Sequence, residues 1–74
     1  MLKELDTVVL TRDLPEHGLQ RGDVGAVVHV HGAGAAYEVE FVDGDGRTLA
    51  LATLTPQDVA PMRGRVVLHI RELA

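Results

Sequence analysis

Hydrophobic and polar positions alternate with a period of two, and turn residues interrupt the runs every six to twelve positions. This is the pattern of a small sandwich or barrel. Thr7-Val8-Val9-Leu10-Thr11 is β-branched almost throughout and reads as the first strand. Arg12 to Asp23 reads as a long loop, punctuated by Pro15, Gly18 and Gly22, with Leu14 and Leu19 apolar enough to pin it onto the core. Val24 to His31 is the second strand. Unbroken alternation puts Ala26, Val28 and Val30 on its core side and Val27, His29 and His31 on the other. On that assignment Val28→Asp would bury an unpaired charge and unfold the domain. Gly25, inside the strand, marks a bulge or a close backbone approach.

Gly32 to Ala36 forms a small hairpin loop, after which Tyr37, Val39 and Phe41 alternate with Glu38 and Glu40. Asp43-Gly44-Asp45-Gly46 reads as a tight turn whose two Asp-Gly pairs supply positive φ values. Thr48 to Leu54 is a fourth strand, but its alternating Ala and Leu leave the inward face undecided. Thr55-Pro56-Gln57-Asp58 reads as one helical turn, with Thr55 as N-cap, Pro56 as first helical residue and Asp58 three positions on. A brief strand from Val59 to Met62 would close the structure. This order predicts an all-β, SH3-like barrel of about five strands with one short helical turn.

Residues 63–74 extend beyond that plan as a C-terminal extra strand, the whole of residues 1–74 making one domain. Val66, Leu68 and Ile70 alternate with Val67, His69 and Arg71, although Val66, Ile70 and Leu73 also meet helical spacing. An added strand must pair with something, either the first strand of its own barrel or an edge on another chain.

Composition narrows the picture. The chain has 74 residues, one Tyr, one Phe and no Trp, so its core must come from Val, Leu, Ile and Ala around Tyr37 and Phe41. A domain this short buries only about 60% of its unfolded surface, leaving two solutions: closure on itself, or further burial by self-association. With no cysteine, disulfides, thiolate metal sites and thiol catalysis are excluded. No apolar run approaches the roughly 20 residues of a membrane span. The start, Met1-Leu2-Lys3-Glu4-Leu5-Asp6, lacks the form of a signal or transit peptide. The expectation is a cytoplasmic protein without a membrane role.

Candidate chemistry is sparse. His29 and His31 share one strand face, a spacing compatible with a metal that His17 or His69 could complete, but cross-strand pairs with Glu38 and Glu40 are the simpler account. Asp43-Gly44-Asp45 opens like a calcium loop, yet Arg47 and Leu54 stand where oxygen ligands are required. Arg21-Gly22-Asp23 spells an adhesion tripeptide, which Gly22 more simply explains as a turn into the second strand. Serine is absent and Lys3 is the only lysine; Glu16 and His17 are neighbours in sequence without any reason to converge. A barrel of this size leaves no room for a pocket of a few hundred Å³. No enzyme activity, cofactor or small-molecule substrate is expected.

Gly22-Asp23-Val24-Gly25-Ala26-Val27-Val28 resembles the Gly-x-Val motif of KOW domains in ribosomal and transcription proteins. Charge argues against the nucleic-acid function this implies. Seven Lys+Arg against eleven Asp+Glu give net −4, and Arg63, Arg65 and Arg71 form the one basic cluster. Stacking aromatics are missing as well, and two aromatics cannot line a polyproline groove.

Several longer stretches resemble a family of small bacterial proteins, the domain of unknown function 4926. They are Leu5-Asp6-Thr7-Val8-Val9-Leu10-Thr11-Arg12-Asp13-Leu14-Pro15-Glu16-His17-Gly18-Leu19, the Gly22 to Val28 stretch, Tyr37-Glu38-Val39-Glu40-Phe41-Val42, and Val66-Val67-Leu68-His69-Ile70-Arg71-Glu72-Leu73. The resemblance implies a stand-alone bacterial SH3-like barrel and carries no site residues. It also implies, through His69-Ile70-Arg71, that the tail belongs to the domain. The loop Gly32 to Ala36 departs from the family in lacking a charge.

The functional expectation is therefore a non-enzymatic interaction module. It would bind a protein partner, or itself as a homodimer, through an edge formed by Arg65, Val66, Leu68, Ile70 and Arg71. The rival is a nucleic-acid or ribosome-associated module, and metal binding ranks below both.

Overall fold

β-Branched and alternating stretches become strands where the pattern places them. The computed structural model describes residues 2–63 and 70–73. Five strands, β1 (Thr7–Leu10), β2 (Val24–His31), β3 (Ala36–Val42), β4 (Thr48–Leu54) and β5 (Val59–Pro61), form one antiparallel sheet in the order β4-β3-β2-β1-β5. The fold is all-β, as expected. The ladder ends at β4 and β5, so the backbone pairing of the described residues makes an open sheet.

One face of that sheet is apolar, and no helix among the described residues covers it. Val8, Leu10, Val27, Tyr37, Val39, Phe41, Ala52, Leu54 and Val59 nevertheless join Leu2, Leu14 and Leu19 in one buried cluster. Residues from both sheet edges can share a single core only if the sheet curls over its own inner face. The long loop supplies the lid: Leu14 and Leu19 pair as an isolated bridge and are almost wholly buried.

The second strand departs from simple alternation. Val27 faces Val39 and the next pair is His29 with Glu38, so Val28 is an extra residue, a β-bulge. The bulge reverses parity: Gly25 and Val27 point inward before it, and Val30 packs on the core after it. The core position is therefore Val27, which is fully buried, while Val28 is 40% exposed. The expectation that Val28 lies in the core is overturned, and with it the ground for expecting Val28→Asp to unfold the domain. His29 and His31 still face outward. Gly25 marks a close approach: a Cβ there would stand 2.7 Å from Val39 Cγ1, 2.8 Å from Phe41 Cε2 and 2.9 Å from the Glu40 carbonyl oxygen.

Across the sheet, bulk on β3 decides the inward face of β4. Phe41 stands opposite Ala50, Val39 opposite Ala52 and Tyr37 opposite Leu54. The large side chains of β3 fill the space in front of β4, so the small alanines turn inward and Leu51 stays outside. A second register shift falls between Phe41 and Val42 and leaves Leu49 out of the paired register.

The turns are held by side chains. Asp43 Oδ1 accepts from Asp45 N at 2.9 Å and Arg47 N at 3.0 Å, closing the β3–β4 hairpin. Of its two glycines only Gly46 takes positive φ, at 81°. Thr55 to Asp58 is a single hydrogen-bonded turn rather than a helical one, because β5 starts directly at Val59 to pair with Leu10. Its capping logic survives: Asp58 Oδ2 accepts from Thr55 N at 2.9 Å and Thr55 Oγ1 at 3.1 Å. The helical turn of the fold, a 3-10 turn, is Pro15–His17 in the long loop. The predicted extra strand falls mainly on residues 64–69, outside the described residues; residues 70–73 lie outside the five strands.

Candidate functional site

The outer face of β2–β4 gathers the polar groups. His31 Nε2 lies 2.6 Å from Glu38 Oε2, and Thr53 Oγ1 donates to both Glu38 oxygens at 2.9 and 2.8 Å. Hydrogen bonds from His31 and then Thr53 hold the Glu38 carboxyl below the ordinary glutamate range. The anticipated His–Glu pair thus forms at His31. His29 stacks edge-on against His31 with ring centroids 4.8 Å apart and lies 3.9 Å from Glu4. Glu40 accepts from Thr48 Oγ1 at 2.6 Å instead of meeting a histidine. Among the described residues no group of three or more His, Asp or Glu is placed to hold a metal ion.

Arg21-Gly22-Asp23 is a turn into β2. Arg21 N donates to Asp13 Oδ1 at 2.8 Å, Gly22 N to the Leu10 carbonyl at 2.9 Å, and Gln20 N to Asp23 Oδ2 at 2.8 Å. Asp23 has a second role. Arg71 clasps it with Nε to Oδ1 at 3.0 Å and Nη2 to Oδ2 at 2.6 Å, and Nη2 also donates to the Gly18 carbonyl at 3.1 Å. This two-point grip raises the Arg71 pKa and ties the tail to the long loop. Arg71 is thereby committed inside its own chain. Ile70, beside it, is 96% exposed. Arg65, Val66 and Leu68, the remaining members of the expected partner edge, lie outside the described residues. Glu16 and His17 are exposed on the 3-10 turn.

A groove of about 500 Å³ opens where the tail passes the end of the sheet, with Leu19, Phe41, Val42, Leu49, Ile70 and Leu73 among its walls. The groove overturns the expectation that so small a domain has no room for a pocket: it forms between the β3–β4 hairpin, the long loop and the tail rather than inside the sheet. Val42, Leu49 and Leu73 are each exposed there.

From Leu49 the apolar surface continues along β4. Among the described residues β4 pairs only with β3, and no described residue hydrogen-bonds along its other side as a strand. Thr48-Leu49-Ala50-Leu51-Ala52-Thr53-Leu54 carries no charge, no Gly and no Pro. Its two threonines turn their hydroxyls toward Glu40 and Glu38 of β3, and Leu51 is 56% exposed. The opposite edge, β5, is three residues long and ends in Pro61, which cannot donate. Sequence reasoning placed the open edge on the tail and passed over β4. The signal was present in seven consecutive uncharged residues of high β-propensity or small size.

No curated protein and no solved structure matches the chain. A family model, that of a domain of unknown function (DUF4926), matches residues 4–61. The match spans all five strands and the long loop and stops short of the tail, whose run from Val66 to Leu73 lies beyond it. On that match, covering more than half of its length, the chain belongs to the DUF4926 family.

Proposed function

We propose that this chain is a non-enzymatic interaction module that docks an extended protein segment along the open side of β4, with exposed Ile70 and the groove it shares with Leu49 continuing the contact surface. The observation that carries this reading is the contrast between the two sheet edges. β5 is short and Pro-terminated, as protected edges are, whereas β4 is long, uncharged and fronted by an exposed leucine. Added strands bind through backbone hydrogen bonds, with alternate side chains setting preference. Catalysis finds no counterpart to this: the histidines of the polar face are engaged with carboxylates or with each other, and the groove is mainly apolar.

The nucleic-acid reading loses ground on the same geometry. Arg71, one of three members of the basic cluster, is neutralised by Asp23, and Arg12 is likewise taken by Asp58 at 2.7 Å. Phosphate affinity depends on unengaged cations, which these two are not.

Capture from native lysate supplemented with an untagged copy of the chain tests the reading. Tagged parent and tagged Leu51→Lys would be compared. Retention by the parent and release by Leu51→Lys supports docking at β4. Retention that Leu51→Lys leaves unchanged overturns it.

A further inference from the structure

We propose that the segment docked on β4 is β4 of a second copy, paired antiparallel about a two-fold axis at Leu51. The inference rests on the reading of β4 as the docking edge and names its occupant. Antiparallel self-pairing centred on Leu51 sets Leu51 against Leu51 and Ala50 against Ala52, and the register shift at Leu49 ends the regular pairing beyond Ala50. No charge meets a charge anywhere in that register, although each chain carries net −4. The nearest acids, Glu38 and Glu40, sit one strand back and are held by Thr53 and Thr48. The pairing keeps both inner faces on one side, so the two exposed Leu51 side chains become cross-strand neighbours on the outer face and cover each other. An unrelated acidic or basic strand would gain nothing from so neutral a strip.

The strand spans roughly 24 Å, and the bulge at Leu49 keeps the regular shared ladder shorter than that. A single strand pair buries less than the roughly 800 Å² per partner of a standard stable interface. The dimer is therefore weak and concentration-dependent, a surface that assembles when copies are crowded together.

The absence of native cysteine makes the register directly testable. In Leu51→Cys the two thiols face each other within disulfide reach, whereas in Thr53→Cys they lie about four residues apart along the strand, roughly 14 Å, and out of reach. Under mild oxidation in concentrated solution, Leu51→Cys should cross-link to a covalent dimer and Thr53→Cys alone should not. Light scattering of the parent should show mass rising from one chain toward two with concentration, and Leu51→Lys should lose that rise. A parent that stays monomeric at millimolar concentration overturns the proposal, as does equal cross-linking of both cysteine variants. If the parent is monomeric while Leu51→Lys still abolishes capture from lysate, β4 docks a different protein: the self-pairing fails and the edge-docking reading stands.

Discussion

Gly25 stands where β2 crosses closest to β3, and two of the three atoms a methyl group would strike are side-chain carbons of fully packed Val39 and Phe41, the third a backbone oxygen. Side chains that already fill the core have nowhere to go, and the Glu40 carbonyl is fixed by the sheet. Gly25→Ala should therefore cost about 2–3 kcal/mol, read as a shifted urea midpoint. A variant as stable as the parent would contradict the packing described. Two residues on, the bulge makes neighbouring valines unequal. Val27→Asp buries an uncompensated carboxylate against Val39 and should leave no cooperative transition. Val28→Asp, half in solvent, should stay within about 1 kcal/mol of the parent by the same measurement. Sequence alone favours the opposite outcome, because alternation has no means of registering one inserted residue. Only the partner strand reveals it, where a single step from Val39 to Glu38 answers two steps from Val27 to His29.

At the level of strands and turns, what could be read in advance was local. β1 to β4 begin and end within a residue of their alternating stretches, and the Asp43 hairpin closes through the side-chain bonds its composition favours. What could not be read depends on neighbours remote in the chain. The inward face of β4 is set by Phe41 and Val39 across the ladder, where alanines fit opposite the large side chains and Leu49 and Leu51 end up outside. Arg71 is tied to an aspartate 48 positions earlier, a contact that no local pattern encodes. The Thr55–Asp58 turn shows a local rule half fulfilled: the cap forms, the helix does not. Its carboxylate also carries a pH signature. The Arg12 hydrogen bond, then the Thr55 backbone N–H, hold Asp58 below its ordinary value of 3.8. The folded form thus favours the ionised acid, so its contribution is complete above the unfolded value and lost as pH falls through the lower folded one. Asp58→Asn should be less stable than the parent by about 1 kcal/mol near neutrality. That gap should narrow as pH falls below the ordinary value of 3.8 and through the lower folded one, seen in urea midpoints across the acid range. A gap independent of pH would show that the ionised carboxylate contributes nothing.

For the molecule as a whole, small size and a core with two aromatics leave one sheet to cover its own inner face, helped among the described residues by Leu2, Leu14 and Leu19. Such a sheet keeps two edges. One is blunted by Pro61; the other runs through seven uncharged residues and meets an apolar groove that the tail, clasped by Asp23, helps to form. A surface so unlike the remainder of an acidic protein is the feature on which the functional account turns. Deuterium uptake followed by strand across a concentration series addresses it most directly. The account predicts that amides of residues 48–54 exchange more slowly as concentration rises, while those of Val59 and Ala60 do not change. Uptake over 48–54 that is the same at every concentration would contradict it.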